Sequence, residues 1–259
     1  MSSGEQPYTR ISHHDSDHIF VRGHDLVNDL IGKVTFTEMM YLDITGRRPT
    51  RAQTVLLDAV LVTLMEHGIT PSVLATRVIY DSATEAIQAA VAAGLLGVGS
   101  RFIGTMEGAS ALIEEMLAAP EGVAARARAI AERHRAGRRA VPGFGHPLHR
   151  PDDPRTPRLF ALAAAEGVKG DHVAALRALS TEVDAVYGRH LTINATGAVA
   201  ALLGEIAMPR EIMRGIAVVS RSAGLVAHIR EEQLVPSARR LWDMGLAAIP
   251  YREDGEEPA

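Results

Sequence analysis

Cysteine does not occur anywhere in the 259 residues of the chain. The sequence therefore excludes disulfide bonds, metal sites built on thiolates and cysteine nucleophiles, while it leaves the redox compartment undecided. Long uninterrupted apolar runs are also missing, because polar residues and glycines break the longest of them, and we expect no membrane-spanning segment. Residues 1–17 are polar and lack the apolar stretch of a secretory signal, which predicts a cytoplasmic protein.

The chain also has no excess of positively charged residues. The formal net charge is −4 at pH 7, so the chain has no overall attraction to nucleic acid or to an anionic membrane. Hydrophobic residues make up 47% of the sequence, which is ample material for a core. These properties favour small-molecule chemistry or protein partners over nucleic-acid or membrane binding.

The periodicity of β-strands is scarce in this sequence. Apart from Phe20 and its neighbours there is almost no alternation of apolar and polar residues, and we find no internal repeat and no low-complexity linker. Helical patterns dominate instead, and helix-start signals of the capping-box type recur at residues 35–38, 50–53 and 82–85. The sequence therefore predicts an all-α fold.

Residues 141–155 are the richest in candidate site residues. They read Val-Pro-Gly-Phe-Gly-His-Pro-Leu-His-Arg-Pro-Asp-Asp-Pro-Arg and lie between two helical patterns. Glycines and prolines beside histidines and arginines suit a loop that brings backbone and cationic side chains close to a ligand. A rigid connector between helices has the same glycine and proline content, so both interpretations stay open at this point.

Other candidates carry weaker signals. His13, His14 and His18 are of a type that binds zinc or nickel, but an exposed strand or turn is favoured because consecutive histidines in an extended chain point to opposite faces. His67 is either a ligand or a histidine that interacts with a helix C-terminus. The arginine-rich residues 126–139 form either a solvated face or an attraction for a phosphorylated ligand.

The segment Pro142-Gly143-Phe144-Gly145-His146, followed by Asp153-Pro154-Arg155, resembles the Gly-x-Gly-His…Asp-Pro-Arg segment of the citrate synthase superfamily. The spacing from His146 to Arg155 also matches that family. Four further segments resemble it in the same order along the chain, at residues 21–26, 65–68, 100–109 and 220–225. The resemblance covers roughly residues 19–242 and is strongest to the short citryl-CoA lyase type, which is similar to the lyase module of ATP-citrate lyase.

The resemblance implies an all-helical homodimer in which each chain has a large and a small domain around a cleft. The large domain would comprise residues 19–123 and 212–251 and the small domain residues 124–211, with a flexible segment at residues 1–18 and an acidic tail at residues 252–259. The cleft would bind citryl-CoA, or acetyl-CoA with oxaloacetate. Coenzyme A would enter as a thioester substrate, and the chemistry needs neither a metal nor a permanently bound cofactor.

The resemblance also implies roles for individual residues. The backbone of the loop at Pro142, Gly143, Phe144 and Gly145 would contact the adenine of coenzyme A. His146 would donate a hydrogen bond to the carbonyl or hydroxyl of the dicarboxylate. Arg155 and Arg221 would hold its carboxylates, with His67 alongside them. His149 would either contribute to this group or remain an exposed loop histidine.

Two acid–base positions depart from the family. Citrate synthases carry a catalytic histidine in a His-Gly-Gly-Ala segment, where this chain reads Met106-Glu107-Gly108-Ala109, and an aspartate base in an Asn-Val-Asp segment, where it reads Asn194-Ala195-Thr196. These losses argue against an efficient citrate synthase of the usual mechanism. We expect Glu107 to act as proton donor or base, with Thr196 as a hydroxyl donor to the substrate. The alternative for Glu107 is a carboxylate at a helix N-terminus.

Three functions remain open from the sequence. The first is a citryl-CoA lyase-like enzyme that cleaves, or forms, the C–C bond between an acyl-CoA α-carbon and a 2-oxo acid such as oxaloacetate. The second is a lyase or synthase that acts on a different pair of acyl-CoA and oxo acid. The third is a degenerate, non-catalytic paralogue that binds coenzyme A or a dicarboxylate. The retained His146, Arg155 and Arg221 suit all three.

Overall fold

The computed structural model describes residues 6–99 and 103–255, which form eleven α-helices and one small antiparallel sheet. Ser100, Arg101 and Phe102, which belong to one of the family-like segments, lie outside the described residues, as do the outer ends of the predicted N-terminal segment and acidic tail. The predicted all-α class is confirmed. The helices are α1 Phe36–Thr45, α2 Arg51–Met65, α3 Pro71–Ser82, α4 Ile87–Leu96, α5 Thr105–Leu117, α6 Val123–Ala136, α7 Arg155–Ala165, α8 Asp171–Tyr187, α9 Ala195–Glu205, α10 Met213–Leu234 and α11 Ala238–Ala248.

The sheet consists of β1 (Ser12–His14), β2 (Ile19–Val21) and β3 (His24–Asp25), paired antiparallel in this order. β1 lies within the predicted N-terminal segment at residues 1–18, and its backbone pairs with β2. The side chains of β1 are exposed, and the His13 ring stacks on Phe20 with 4.9 Å between the centroids. The prediction of an exposed strand in this histidine-rich segment is therefore confirmed.

Two of the three predicted capping boxes are present. The Thr35 hydroxyl accepts from the Glu38 amide while the Glu38 carboxylate accepts from the Thr35 amide, and Thr50 and Gln53 make the same reciprocal pair. The third prediction is wrong, because α3 continues to Ser82 and this serine donates to a carbonyl one turn earlier instead of capping the next helix.

The chain divides into two compact units, and the first comprises Met1–Val60 and Ala109–Arg210. In this unit α8 packs against α6 and α9, and α7 packs against α9. The central helix is α9, whose residues 198–203 are each at most 1% exposed. A helix that is apolar on all sides is typical of a buried core position.

The second unit comprises Leu61–Gly108 and Glu211–Ala259. Here α3 packs against α4, α10 and α11, and α4 packs against α10. Tyr80, Ala90 and Ile229 form a buried cluster in this unit. The long helix α10 carries polar side chains on its buried face as well, among them Ser220 and Arg221.

These units differ from the two domains that the resemblance implies. Both divisions have a boundary next to residue 211, but residues 19–60 and 109–123 belong to the same unit as residues 124–210. The contacts explain the difference, because the Tyr41 hydroxyl on α1 donates to the carbonyl of Ile206 at 3.0 Å. Likewise a Cβ atom on Gly143 would lie 3.0 Å from the Cβ of Ala109.

One helical segment, Arg210–Leu234, is long and apolar enough to cross a membrane by length and composition alone. The sequence predicted no such segment, because polar residues and glycines break the longest apolar runs. Of its most apolar window, 44% is buried inside the protein. A single segment of this kind is weak evidence for a membrane span, because the core helix of a globular protein meets the same criteria.

Candidate active site

The loop at residues 141–155 belongs to the first unit and is tied to the residues that precede α9. The amide of Gly145 donates to the carbonyl of Thr192 at 2.8 Å, and the amide of Asn194 donates to the carbonyl of Gly143 at 3.0 Å. The Asn194 side chain donates to the carbonyl of Gly145 at 2.9 Å. Gly143 and Gly145 have φ angles of +85° and +80°, which only glycine adopts without strain. The backbone here is therefore fixed in a shape that its sequence specifies.

His146 has a defined orientation within this loop. Its Nδ1 atom accepts hydrogen bonds from the amides of Leu148 and His149, at 3.1 and 3.0 Å. Because these amides only donate, the ring proton of the neutral imidazole is on Nε2. The ring also stacks on that of His149, with 4.3 Å between the centroids. The loop thus presents His146 as an Nε2–H donor, as a developing alkoxide or a carbonyl oxygen requires.

Arg155 begins α7 and is paired with Asp153, whose side chain is fully buried. The carboxylate accepts from Nε of Arg155 at 2.9 Å, from its NH2 at 2.7 Å and from the amide of Ala195 at 3.0 Å. Burial raises the pKa of Asp153, but the hydrogen bonds from Arg155 and Ala195 outweigh it and hold the pKa below its usual value. The bidentate edge of the Arg155 guanidinium is therefore used within the protein.

Thr196 lies in the first turn of α9, next to the cap of that helix. Its hydroxyl donates to Oδ1 of Asn194 at 2.7 Å. The same oxygen accepts from the amide of Gly197 at 3.1 Å and so caps the helix. In this arrangement the hydroxyl proton of Thr196 points to Asn194, and donation to a substrate requires the hydroxyl to rotate.

In the second unit, α10 carries a buried charged side chain, Arg221. It is 7% exposed, and among the described residues its NH1 atom has no hydrogen-bond partner. Burial lowers the pKa of Arg221, while the nearby Glu66 carboxylate acts in the opposite direction. A buried guanidinium without a full set of acceptors is costly unless an anion completes it, so Arg221 is suited to bind a carboxylate.

His67 lies in an exposed turn after α2, and Glu66 holds that turn. Oε1 of Glu66 accepts from the amides of His67 and Gly68, at 2.7 Å in both cases. Gly68 has a φ angle of +69°, in the left-handed region that glycine favours. The backbone at His67 is thus fixed by its neighbour in the sequence.

Glu107 lies in the first turn of α5, as the helix-terminus interpretation predicts. Its carboxylate also forms an ion pair with NH2 of Arg214 on α10, at 2.5 Å. Met106, at the position of the missing catalytic histidine, is fully buried. Of these two neighbours, only Glu107 has a side chain that is available for acid–base chemistry.

Comparison with known proteins identifies the family. The model of the citrate synthase C-terminal domain matches residues 43–242. The chain belongs to the citrate synthase family. Its structure is similar to that of citryl-CoA lyase from Hydrogenobacter thermophilus, with a TM-score of 0.86, 28% identity and 98% of each chain covered.

Two further proteins are similar to this chain, one in structure and one in sequence. The structure of ATP citrate lyase from Methanosaeta concilii, a D541A mutant in complex with (3S)-citryl-CoA, matches 99% of this chain and 43% of its own, with a TM-score of 0.80 and 18% identity. A Mycobacterium bovis protein provisionally named citrate synthase 2 is 32% identical over 181 residues, which are 68% of this chain and 47% of that protein. The chain thus spans about half the length of the curated relatives it matches.

The predicted site residues of this citrate synthase-family chain fall into two groups, one in each unit. In the first unit the structure brings together the loop backbone, His146, His149, Arg155 and Thr196 through the residues around Asn194. In the second unit, His67 and Arg221 share Glu66 as a neighbour. Glu107 pairs with α10 at a different position, through Arg214.

A metal site was not expected in this family-like arrangement, although three potential ligands lie close together. Ligand atoms of His146, His149 and Asp153 are all within 4.8 Å of one another. However, Nδ1 of His146 already accepts two amide hydrogen bonds, and both oxygens of Asp153 accept from Arg155. A metal ion needs these lone pairs, so the donor set does not fit one.

Sequence reasoning missed several polar residues that hold the site of this citrate synthase-family protein. Arg214 and His228 were not predicted as site residues. Arg214 pairs with the predicted site residue Glu107, and His228 contacts Glu66, which precedes the predicted site residue His67. A signal was present, because Arg214, Arg221 and His228 are spaced by seven residues on α10. Residues seven apart lie on nearly the same face of an α-helix.

Proposed function

We propose that the protein is an enzyme of the citryl-CoA lyase type, which cleaves the C–C bond between an acyl-CoA α-carbon and a 2-oxo acid such as oxaloacetate, or forms it in reverse. The observation that carries the proposal is the match to a citryl-CoA lyase over 98% of both chains. The orientation of His146 supports it from the chemistry of the site, as does the NH1 atom of Arg221, which has no hydrogen-bond partner within residues 6–99 and 103–255.

The polar groups suit a dicarboxylate with a carbonyl or hydroxyl carbon. Arg221 supplies a buried guanidinium for a carboxylate, and Nε2–H of His146 supplies a donor for the oxygen on the reacting carbon. Arg155 contributes the part of its guanidinium that Asp153 does not use. We assign the coenzyme A adenine to the backbone of residues 142–145.

In the cleavage direction, a base removes the proton of the tertiary hydroxyl of citryl-CoA. The C–C bond then breaks, the hydroxyl carbon becomes the carbonyl of oxaloacetate, and the electron pair moves to the thioester as an enolate. Protonation of the enolate carbon gives acetyl-CoA. We assign proton transfer to Glu107, because Met106 has no acid–base function and the Thr196 hydroxyl is held by Asn194.

A non-catalytic paralogue that binds coenzyme A or a dicarboxylate is the second candidate. The ion pair between Glu107 and Arg214 favours it, because this pair also has a purely structural explanation. An enzyme for another pair of acyl-CoA and oxo acid is the third. All three candidates would use the same binding residues. The non-catalytic candidate lacks the proton transfer, and the third differs in the group attached to the α-carbon.

Incubation of the purified protein with citryl-CoA tests the proposal. We expect equimolar acetyl-CoA and oxaloacetate, measured by chromatography and by a coupled malate dehydrogenase assay. His146→Ala should abolish the release, whereas His18→Ala in the exposed turn after β1 should not change it. Absence of release above the His146→Ala background at high enzyme concentration, together with calorimetric binding of coenzyme A or oxaloacetate, would support the non-catalytic candidate instead.

We also propose that the protein acts as a homodimer in the cytoplasm. The exposed apolar side chains near the C-terminus support association, since Trp242, Leu246 and Ile249 are 55%, 66% and 82% exposed. Light scattering after size-exclusion chromatography should give twice the mass of the chain, 27.8 kDa. A monomer at micromolar concentration would contradict this part of the proposal.

A further inference from the structure

The end of α2 and the middle of α10 approach each other closely in the second unit. The Ser220 hydroxyl donates to the carbonyl of Leu61 at 2.5 Å. One turn further along α10, Gly224 leaves space for the backbone of α2, because a Cβ atom there would overlap the carbonyl oxygen of Met65 and lie 3.1 Å from Oε2 of Glu66. The Glu66 side chain therefore packs against α10, between the positions of Arg221 and His228.

A buried arginine organises the polar side chains at this crossing. Arg77 on α3 is 3% exposed. Its NH1 donates to Oε2 of Glu232 at 2.9 Å, and its NH2 donates to Glu231 and to Nδ1 of His228, the latter at 2.7 Å. Although burial raises the pKa of Glu232, hydrogen bonds from Ser237, Ala238 and Arg77 lower it to about 2. Arg77 thus has a permanent anionic partner.

The contact with Arg77 determines the tautomer of His228. A guanidinium only donates, so Nδ1 of His228 is the acceptor and the proton of the neutral ring is on Nε2. This Nε2 lies 2.9 Å from Oε2 of Glu66, a close polar contact between the ring and the carboxylate. The other oxygen of Glu66 accepts from the amides of His67 and Gly68. One chain of contacts therefore runs from Arg77 to the turn at His67.

We propose that Arg77, His228 and Glu66 are positioning residues that fix the His67–Gly68 turn and the electrostatic environment of Arg221 for the dicarboxylate end of the substrate. This inference rests on the proposed function, since it assigns His67 and Arg221 to that substrate. None of the three residues touches the reacting atoms. Their effect is on binding, because Glu66 holds the turn through one oxygen and lies close to Arg221 with its charge.

His228→Leu and His228→Gln test the chain of contacts. Leucine removes both ring nitrogens, whereas glutamine keeps a donor and an acceptor. With leucine we expect amide hydrogen exchange in a peptide containing residues 66–68 to be about 10-fold faster, because Glu66 loses its support. The dissociation constant of oxaloacetate and the KM for citryl-CoA should rise about 10-fold, and kcat should change less than threefold. Glutamine should restore most of these values.

Ser222→Ala is the matched control, because Ser222 lies on the same helix and its hydroxyl donates to the carbonyl of Val218 one turn earlier. It should leave the exchange rate and oxaloacetate binding unchanged. Glu66→Gln is the second variant if His228→Leu does not fold, and it should accelerate exchange in the same peptide.

The exchange measurement separates this inference from the proposed function. Faster exchange at residues 66–68 without any cleavage of citryl-CoA would support the chain of contacts and reject the lyase. Unchanged exchange in folded His228→Leu, or a glutamine variant as impaired as the leucine variant, would overturn the inference. A fall in kcat with unchanged binding would also overturn it, because it would place His228 in the chemical step.

Discussion

The two groups of site residues use their arginines in different ways. In the first unit, the bidentate edge of the Arg155 guanidinium donates to the buried carboxylate of Asp153. In the second unit, Arg221 is more deeply buried than Arg155, its NH1 has no partner among the described residues, and the Glu66 carboxylate lies close enough to act on its charge. The comparison indicates that one arginine mainly builds the site and the other mainly binds the ligand.

The histidines of the two groups differ in the same sense. The His146 side chain is oriented by its own loop, because its Nδ1 atom accepts hydrogen bonds from two loop amides. The backbone at His67 is held by a neighbouring side chain, Glu66, which depends on further residues of α3 and α10. The His146 ring is thus oriented within its own loop, while the carboxylate that holds the His67 backbone is in contact with α10.

The largest expected effect is on Arg221. Arg221→Gln should lower kcat/KM for citryl-CoA about 10³-fold, because it removes the buried guanidinium that would pair with a substrate carboxylate. Arg155→Gln should lower it only ~10-fold, in line with the charge that Asp153 already neutralises. Steady-state kinetics on both folded variants would check this. A larger loss for Arg155→Gln would reverse the comparison.

Glu107 tests whether the second group also contributes chemistry. Glu107→Gln should lower kcat ~10²-fold with little change in KM, as expected for a lost proton-transfer group. Glu114→Gln on the same helix, where the carboxylate is 47% exposed and pairs with Arg210, is the control and should keep full activity. Full activity of the Glu107 variant would remove it from the mechanism.

Asp153 tests the structural character of the first group. Asp153→Asn should lower the free energy of unfolding by about 3 kcal/mol, because it leaves Arg155 without its buried partner. The folded-state pKa of Asp153 is lowered, so its contribution is present above its unfolded pKa, about 4, and is lost as the pH falls through the folded value. Urea unfolding between pH 2.5 and 7 should show a weaker acid dependence in the variant. Asp243→Asn, at a 64% exposed side chain, should change stability by less than ~0.5 kcal/mol.

The smallest expected effect concerns His190, which connects the loop to the end of α8. Its Nδ1 lies 2.6 Å from Asp184 and its Nε2 3.1 Å from Asp152, and these two carboxylates raise the pKa of His190. The stabilisation is therefore complete below about pH 6.5 and is lost as the pH rises through the folded value. Because the side chain is 45% exposed, His190→Gln should cost less than ~1 kcal/mol at pH 6 and nothing at pH 9. Equal losses at both pH values would contradict the electrostatic explanation.

The sequence named candidate residues in both groups, but the contacts that hold the second group were not predictable from it. Glycines at positions 143 and 145 and the residues up to Arg155 mark the loop in a short stretch, and the capping signals at Thr35 and Thr50 are equally local. The pair of Glu107 and Arg214 joins residues 107 positions apart, so no local pattern contains it. Ser82 shows the opposite failure, since a correct local signal was overridden by the continuation of α3.

The contact between Gly143 and Gly197 also sets a rule for engineering this site. A Cβ atom at Gly197 would lie 2.6 Å from the carbonyl oxygen of Gly143, and one at Gly143 would lie 3.0 Å from the Cα of Gly197. A mutant library built on this loop should therefore keep both glycines. Homologues that evolve new substrates are expected to follow the same restriction.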